Sequence, residues 1–369
     1  MPPDPPTRTL VIDKFLPLHA GHQHVIATAV DAGGTTDVVV CDRPGERPDA
    51  TRRAGWIRTL FPDVTIHVID DICAWHGDDD CPPACSPAWA AHLAAHGLGP
   101  WTHVRGSESY VRPFADALDA QPVLVDADRH RHPVSGRAIR DDLGRHWDGL
   151  DPVVRAGLVR RVVVVGAEST GTTTLARDLA GHLGVPWVPE YGRTYSEERA
   201  AAAGSIFDVE WRTADFDHIA GAQEQLEDAT IERWIQDAEA SRPRRPWDPV
   251  LICDTDVLAT AVWHRRYVGE PAPHLEDRAR DRPPLLYVLT SPDGVPFEQD
   301  GLRDGEHVRH DMTGWFREAL AAQGTPWIEV VSSRSQRIDT VTTWLDAYAG
   351  PAVHTSPPVS GCDGASAGG

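Results

Sequence analysis

The sequence predicts an α/β fold with two doubly wound parallel-sheet domains. Short apolar strands alternate with amphipathic helices, the order that is typical of βαβ units. The alternation starts near residue 9 and restarts near residue 160 with a strand that leads into a second glycine-bearing strand–helix turn. A chain of 369 residues has room for two domains, each with its own core. We therefore predict domains at residues 7–150 and 159–349, followed by a disordered Pro/Gly-rich tail at 350–369.

The first half supplies the βαβ elements of one sheet. Apolar runs predict strands at 9–12, 38–41 and 64–69. Helices are predicted between them at 21–32, where apolar residues recur at 3.6-residue spacing, and at 52–60. The first strand is joined to the first helix by a turn that carries two histidines.

The second half repeats the pattern with different residues. Strands are predicted at 160–165, 250–253 and 285–289, with a helix at 173–183 after a Gly-rich turn. The segment 148–158, which contains two glycines and a proline, is the predicted domain boundary.

Composition limits the classes of partner. The chain has 55 acidic and 35 basic residues, a net charge of −20, which argues against nucleic-acid or anionic-membrane partners. No apolar run approaches the ~20 residues of a membrane span, and the first residues lack a secretory h-region. Six cysteines are too few for a disulfide framework in a chain of this length. These features predict a cytoplasmic protein with small-molecule substrates, and they leave a homo-oligomer open.

The segment Asp13-Lys14-Phe15-Leu16-Pro17-Leu18-His19-Ala20-Gly21-His22 is the first candidate site. His19 and His22 are three residues apart at a helix start, so both rings can face the same side. The free N–H groups of a helix N-terminus favour phosphate, and Gly21 permits close approach of the backbone. Lys14, the only lysine in the chain, adds a positive charge. The pattern predicts a binding site for a triphosphate. Taken by itself, the pair of histidines is also compatible with two unrelated surface residues.

Two later turns carry further candidate residues. Ser135, Gly136 and Arg140 lie in a small-residue turn just before a helix, and Ser107 lies in a polar turn after a short strand. An ordinary helix start and a solvated loop are the alternatives.

These motifs together resemble the nucleotidyltransferase superfamily. H-x-G-H preceded by K-F-x-P, followed far downstream by S-G-x-x-I-R, looks like the nicotinamide-nucleotide adenylyltransferases. The segments 53–62 (RAGWIRTLFP) and 134–155 are similar to that family as well. The resemblance implies a Rossmann-like nucleotidyltransferase domain that uses ATP and Mg²⁺ to adenylylate nicotinamide mononucleotide and release pyrophosphate.

The resemblance also implies roles for individual residues. His19 and His22 would hold ATP phosphates, and Ser135 would donate a hydrogen bond to one of them. Lys14 and Arg140 would neutralise the charge that develops at phosphorus and on pyrophosphate. Nucleotide contacts are further expected at Phe15, Gly21, Ser107 and Gly136. The family usually has glycine at the position of Asp13, whose carboxylate either points away or helps to hold Mg²⁺.

A P-loop pattern forms the second candidate site. G-x-x-x-x-G-K-[ST] fits a strand–helix turn, except that Thr172 occupies the lysine position. Asp254 follows an apolar strand, in the place where P-loop proteins carry a Mg²⁺ carboxylate, and Thr173 would supply a hydroxyl ligand. Predicted nucleotide contacts are Gly166, Glu168, Ser169, Thr170, Gly171, Thr172, Thr173 and Thr174.

The flanking segments carry further charged residues. Glu190, Tyr191 and Arg193 follow a short strand, Asp256 lies next to the Mg²⁺ carboxylate, and Arg303 lies in a predicted lid. In this order they resemble the ribosylnicotinamide kinase domain of bifunctional NAD-biosynthetic proteins. The resemblance spans residues 8 to about 348 and implies phosphorylation of nicotinamide riboside by ATP.

Several alternatives stay open at this stage. Arg303, Arg193 or Arg309 would replace the missing lysine charge in an active kinase; otherwise the domain is a silent nucleotide sensor. A regulator that binds NAD or ATP and contacts DNA is a second alternative, against which the charge of −20 argues. Asp254 and Glu190 cannot be separated as base and metal ligand, nor can nicotinamide and nicotinic acid substrates.

A cysteine–histidine cluster lies in a loop-like stretch of the first half. Cys73, His76, Cys81 and Cys85 could hold a structural Zn²⁺, although their spacing is not that of a standard zinc knuckle. An ordinary loop is the alternative.

Overall fold

The computed structural model describes residues 6–72, 83–298 and 305–355. The described chain divides into two compact units. The first runs to Leu158 and includes the stretch from Pro351, and the second is Val159–Gly350. Each unit is built around its own parallel sheet.

The first unit contains a five-stranded sheet in the order β3-β2-β1-β4-β5, in which every pairing is parallel. Its strands are β1 Arg8–Asp13, β2 Thr35–Asp42, β3 Thr65–Asp70, β4 His103–Gly106 and β5 Gln121–Leu124. Its helices are α1 Ala20–Asp31, α2 Ala50–Leu60, α3 Ser86–Ala95, α4 Val111–Ala117, α5 Gly136–Asp141, α6 Leu143–His146 and α7 Pro152–Leu158.

The strand order reverses direction at β1. The chain moves outward from β1 through β2 to β3, then returns to the other side of β1 for β4 and β5. Right-handed crossovers on the two sides of β1 place helices on opposite faces of the sheet. A crevice opens at the carboxyl ends of β1 and β4, the usual ligand position in such sheets.

The second unit has the strand order β10-β9-β6-β8-β7, again all parallel. Its strands are β6 Arg160–Val165, β7 Trp187–Val188, β8 Val250–Asp254, β9 Leu286–Thr290 and β10 Trp327–Val330. Its helices are α8 Thr172–Leu183, α9 Tyr191–Ala203, α10 Thr213–Gln236, α11 Val257–Val268, α12 Pro273–Asp281, α13 Arg309–Gln323 and α14 Arg334–Tyr348. The predicted α/β class with two parallel sheets is confirmed.

Each sheet buries continuous apolar strands. In the second unit the residues of β8 and β9 are buried throughout, as expected for strands covered on both faces. Val162 and Val164 of β6 pack against Leu175 and Leu179 of α8, so the strand fixes the helix that follows the Gly-rich turn. This packing positions the start of α8 at the carboxyl edge of the sheet.

The predicted tail is wrong at its beginning. Ala352 and Val353 are buried, and His354 forms an antiparallel bridge with Arg47 through two backbone hydrogen bonds of 2.8 and 2.9 Å. Burying two apolar side chains and pairing the backbone holds residues 351–355 against the first unit. Residues 356–369 lie outside the described part of the chain. Among the described helices, none has the length and apolar character needed to cross a bilayer.

Candidate functional site

The crevice of the first unit holds a cavity of about 340 Å³. The ends of β1 and β4, the start of α1 and the turn before α5 all contribute to its wall. The sequence-predicted residues on this wall are Lys14, His19, Gly21, His22, Ser107, Ser135, Gly136 and Arg140. The structure thus brings together three sequence segments that are far apart in the chain.

His19 is the N-cap of α1. Its Nδ1 accepts a hydrogen bond from the Gly21 backbone N–H at 3.1 Å, so the proton of the neutral ring sits on Nε2. A Cβ on residue 21 would lie 3.0 Å from His19 Cε1, so glycine leaves room for the ring. Burial, followed by the charge of His22, lowers the pKa of His19 well below its usual value. His19 is therefore a neutral donor on the cavity wall.

His22 stacks on His19 and faces Asp13. The two imidazole centroids are 3.7 Å apart, and His22 Nε2 lies 3.5 Å from Asp13 Oδ2. Asp13 Oδ1 accepts the backbone N–H groups of Lys14 and Phe15. Burial raises the pKa of Asp13, but His22 and the Phe15 N–H outweigh it, so the pKa is lowered overall. Asp13 lines the cavity rather than pointing away, and it holds both the loop and His22.

Because His19 is neutral when folded, we expect the first unit to lose stability in acid. Below about pH 6.5 an unfolded histidine binds a proton, whereas His19 in the folded unit does not. The unfolded state then binds more protons, so stability falls as the pH drops below that value. His19→Asn preserves the helix N-cap and should weaken this pH dependence. Urea titrations at pH 5 to 8, followed by hydrogen exchange of the backbone amides of β1 and β2, measure the free energy of unfolding of the first unit at each pH. His96→Gln, at an exposed position, is the control and should show the wild-type dependence of the unfolding free energy on pH. If that free energy changes equally with pH in all three proteins, the expectation is wrong.

Lys14 has two carboxylate partners. Its Nζ lies 2.6 Å from Glu46 Oε1 and 3.1 Å from Asp71 Oδ2. Glu46 and Asp71 are buried and also pair with Arg53 and Arg43, at 3.1 and 2.8 Å. This cluster fixes the ammonium at the cavity wall, but much of its charge is balanced by the two carboxylates.

Arg140 and Ser135 are held by backbone contacts. Arg140 NH1 donates to the Leu16 carbonyl at 2.6 Å, which ties α5 to the loop after β1. Ser135 is the N-cap of α5, and its Oγ accepts the Ala138 N–H at 3.2 Å. Its own hydroxyl proton can still be donated to a ligand. Phe15, a predicted nucleotide contact, does not lie on the cavity wall: its side chain is fully buried and packs edge-on against His22 at 5.1 Å.

In the second unit, the P-loop between β6 and α8 borders a cavity of about 140 Å³. A Cβ on residue 166 would lie 2.2 Å from Thr290 Oγ1, so only glycine fits between the loop and β9. Gly171, in the left-handed region at φ 87°, is the N-cap of α8. The predicted P-loop residues on the cavity wall are Gly166, Glu168, Ser169, Thr172 and Thr173. Glu168 accepts from Arg266 NH1 at 2.9 Å and from the Gly305 N–H at 2.8 Å, so its carboxylate is engaged by the protein.

Asp254 lies at the end of β8, beside the start of α8. Burial raises its pKa to about 6, although hydrogen bonds from Thr173 and Thr172 lower it. Its Oδ2 is buried and has no hydrogen-bond partner within the described residues. A buried carboxylate oxygen without a partner, next to a P-loop hydroxyl, fits a Mg²⁺ ion held by Asp254 and Thr173.

Glu190 and Arg193 also line this cavity. A Cβ on Gly192 would lie 3.5 Å from both Glu190 Oε1 and Ile219 Cγ2, which places the Glu190 carboxylate beside an apolar wall. That wall is mostly aromatic. It is formed by Ile206, Trp211, Phe216, Ile219, Trp263 and Tyr267.

Several predicted residues of the second site lie elsewhere. Asp256 is buried as the N-cap of α11 and accepts the Tyr287 hydroxyl at 2.7 Å, so it faces away from the cavity. Tyr191 contacts His218 through its hydroxyl at 3.0 Å. Thr170 is buried against Thr290, with 2.6 Å between the hydroxyl oxygens. Gly171 and Thr174 are not on the wall either, and Thr174 is exposed.

Some predictions fall on residues that the structure does not describe. Arg303 lies outside the described residues, as do Cys73, His76 and Cys81 of the suggested zinc cluster. Cys85 is half-buried. The zinc hypothesis stays a prediction.

Several residues at the two sites have no local signal in the sequence. Glu46 and Asp71 come next to Lys14 only through pairing of β1 with β2 and of β2 with β3. The aromatic wall gathers residues of α10, α11 and the segment before α10; only the i,i+4 spacing of Trp263 and Tyr267 is visible in the sequence.

Comparisons with known proteins agree with the two-unit architecture. Residues 161–337 match the family described as AAA domain. The Trifunctional NAD biosynthesis/regulator protein NadR of Salmonella typhimurium is 24% identical over 313 residues, covering 80% of this chain and 71% of the relative. The protein of the same name from Escherichia coli gives the same values.

Solved structures show the same fold. The crystal structure of NadR protein in complex with NAD and AMP-PNP superimposes with a TM-score of 0.59 at 21% identity, covering 94% of this chain and 97% of that one. A NadR structure in complex with NR gives 0.59 at 20% identity, covering 92% and 96%. Fold and sites define a two-unit α/β protein with a P-loop in its second unit. The chain is a relative of the NadR proteins of NAD biosynthesis, and the resemblance seen in the sequence is confirmed.

Proposed function

We propose that the first unit transfers the adenylyl group of ATP to nicotinamide mononucleotide, giving NAD and pyrophosphate. The observation that carries this is the stacked His19–His22 pair, which shares one cavity with Lys14 and Arg140 at the reversal point of the sheet. Such a cluster of donors suits a polyphosphate. The relatives' names and the NAD in a related structure support the same substrate class.

In this mechanism the protein contributes position and charge. A phosphate oxygen of the mononucleotide attacks the α-phosphorus of ATP, and pyrophosphate leaves. Neutral His19 donates from Nε2 to a phosphate oxygen, while Arg140, tied to Leu16, stabilises the negative charge on the departing group. No wall residue needs to act as a covalent nucleophile.

The second unit is proposed to phosphorylate nicotinamide riboside with ATP. Its cavity joins a P-loop to an aromatic wall, so a polyphosphate and a flat ring would lie side by side. A pyridinium ring carries positive charge, which the faces of Trp263 and Tyr267 attract. The related structure in complex with NR supports this substrate.

We assign the metal and base roles to different residues. Asp254 and Thr173 would hold Mg²⁺, which neutralises phosphate charge when bound. Glu190, beside the aromatic wall, would accept the proton of the riboside 5′-hydroxyl as that oxygen attacks the γ-phosphorus. These roles separate two carboxylates that the sequence alone leaves interchangeable.

Two assays on the purified chain test the two activities. Nicotinamide mononucleotide with ATP and Mg²⁺ should give NAD and one equivalent of pyrophosphate; no dinucleotide would refute the first activity. Nicotinamide riboside with ATP and Mg²⁺ should give the mononucleotide and ADP. A chain that binds ATP in the second unit without forming mononucleotide would instead be a nucleotide sensor, the candidate that Thr172 favours.

A further inference from the structure

On the proposed function, the cavity of the second unit binds the phosphates of ATP although its P-loop lacks the usual lysine. Thr172 stands where that lysine would contact the β- and γ-phosphates. Of the arginines considered from the sequence, Arg193 reaches the wall, but its side chain is 45% exposed and pairs with Glu197 at 3.2 Å. An exposed, solvated guanidinium supplies little electrostatic potential to a neighbouring site.

Arg309, which the sequence also offered for this role, and Arg337 both contact backbone carbonyls of the P-loop. Arg309 NH2 donates to the Ser169 carbonyl at 2.6 Å, and Arg337 NH1 donates to the Thr170 carbonyl at 2.7 Å. Both residues are buried, with 7% and 5% exposed. A Cβ on Gly171, the N-cap of α8, would lie 3.6 Å from Arg337 NH1, so the Arg337 guanidinium lies close to the start of that helix.

Within the described residues, neither guanidinium has a carboxylate at salt-bridge distance. The remaining partners of Arg309 and Arg337 are the carbonyls of Val295, Ser291 and Ser332. Burial lowers the pKa of both side chains. Glu306 and Asp293 oppose this at Arg309, and the charge of Arg309 lowers the pKa of Arg337 further. Arginine nevertheless stays protonated in proteins. Two buried positive charges that no carboxylate contacts directly are stabilised further when an anion binds nearby.

We propose that Arg309 and Arg337 together supply, from behind the P-loop, the positive charge that the missing lysine would provide to a nucleoside triphosphate. Their hydrogen bonds fall on loop carbonyls, which leaves the loop N–H groups free to face the phosphates. Both arginines are positioning residues that act through the loop. The inference rests on the proposed nucleotide binding of the second unit and does not require phosphoryl transfer.

The dissociation constant of ATP measures this contribution. All the proteins compared carry His19→Asn and His22→Asn in the first unit, so that the measured ATP binding is that of the second unit. Arg309→Met and Arg337→Met should each weaken ATP binding about tenfold, the effect of one charge at this range. Arg334→Met is the control, because Arg334 lies on the same helix but is exposed and pairs with Asp178. Unchanged ATP affinity in both Met variants, with unchanged thermal unfolding, would overturn the proposal.

Two further measurements separate charge from loop shape. The loss of affinity in the Met variants should grow from AMP to ADP to ATP. In the Arg337→Met protein, the further change Thr172→Lys should restore ATP affinity. An equal loss for AMP and ATP, or no restoration, would mean that the arginines only support the loop.

The outcomes also separate this inference from the proposed activity. Tight ATP binding without mononucleotide formation would refute the kinase function and leave the role of the arginines standing. Absence of ATP binding to the second unit would refute both.

Discussion

His19→Asn should lower the turnover of NAD formation about 100- to 1,000-fold, the usual effect of losing one preorganised donor to developing charge. Asparagine can still accept the Gly21 N–H and cap α1, so the helix should remain in place. Its amide is too short to reach where imidazole Nε2 lies. The change therefore removes the phosphate contact with little cost in stability.

The measurement is the steady-state rate of dinucleotide formation at saturating ATP and mononucleotide. Gly21→Ala offers a second route to the same defect, because its Cβ would lie 3.0 Å from His19 Cε1 and push the ring aside. His96→Asn, an exposed histidine of the same unit, should keep wild-type turnover. If His19→Asn retains full turnover, the proposed role of the histidine pair is wrong.

The sequence predicted those parts of the sites that depend on neighbouring residues. The turn between β1 and α1 works through local contacts, such as the Gly21 N–H on His19, and local patterns show them. The P-loop is visible for the same reason, since a strand, a Gly-framed turn and a helix follow directly in the chain. The parallel order of the strands follows from the βαβ alternation and the handedness of its crossovers.

The features that the sequence could not show depend on pairing between distant segments. Asp254 and Asp256 are two residues apart and look equivalent, but the end of β8 turns one toward the P-loop and the other into the core as a helix cap. Arg309 and Arg337 meet the loop only because α13 packs on β9 and α14 packs on α8 and β10. Residues 351–355 carry the composition of a tail, yet two small apolar side chains and one backbone bridge suffice to order them.

Asp254 and Asp256 should respond very differently to the loss of their negative charge. Asp254→Asn should lower the phosphorylation of nicotinamide riboside at least about 100-fold, because it removes the negative charge that would hold Mg²⁺. NAD formation from mononucleotide should be unchanged, since that reaction belongs to the first unit. The Mg²⁺ concentration that gives the half-maximal rate should also rise.

Asp256→Asn is the matched control for this experiment. Its side-chain oxygen can still accept the Leu258 and Ala259 N–H groups, and its amide can still contact the Tyr287 hydroxyl. We expect riboside phosphorylation within about threefold of wild type, because Asp256 faces away from the cavity. Rates compared across a Mg²⁺ titration distinguish the two residues. Equal losses in both variants would mean that Asp254 acts as a structural residue, and the carboxylate assigned to the metal would have to be sought elsewhere on the cavity wall.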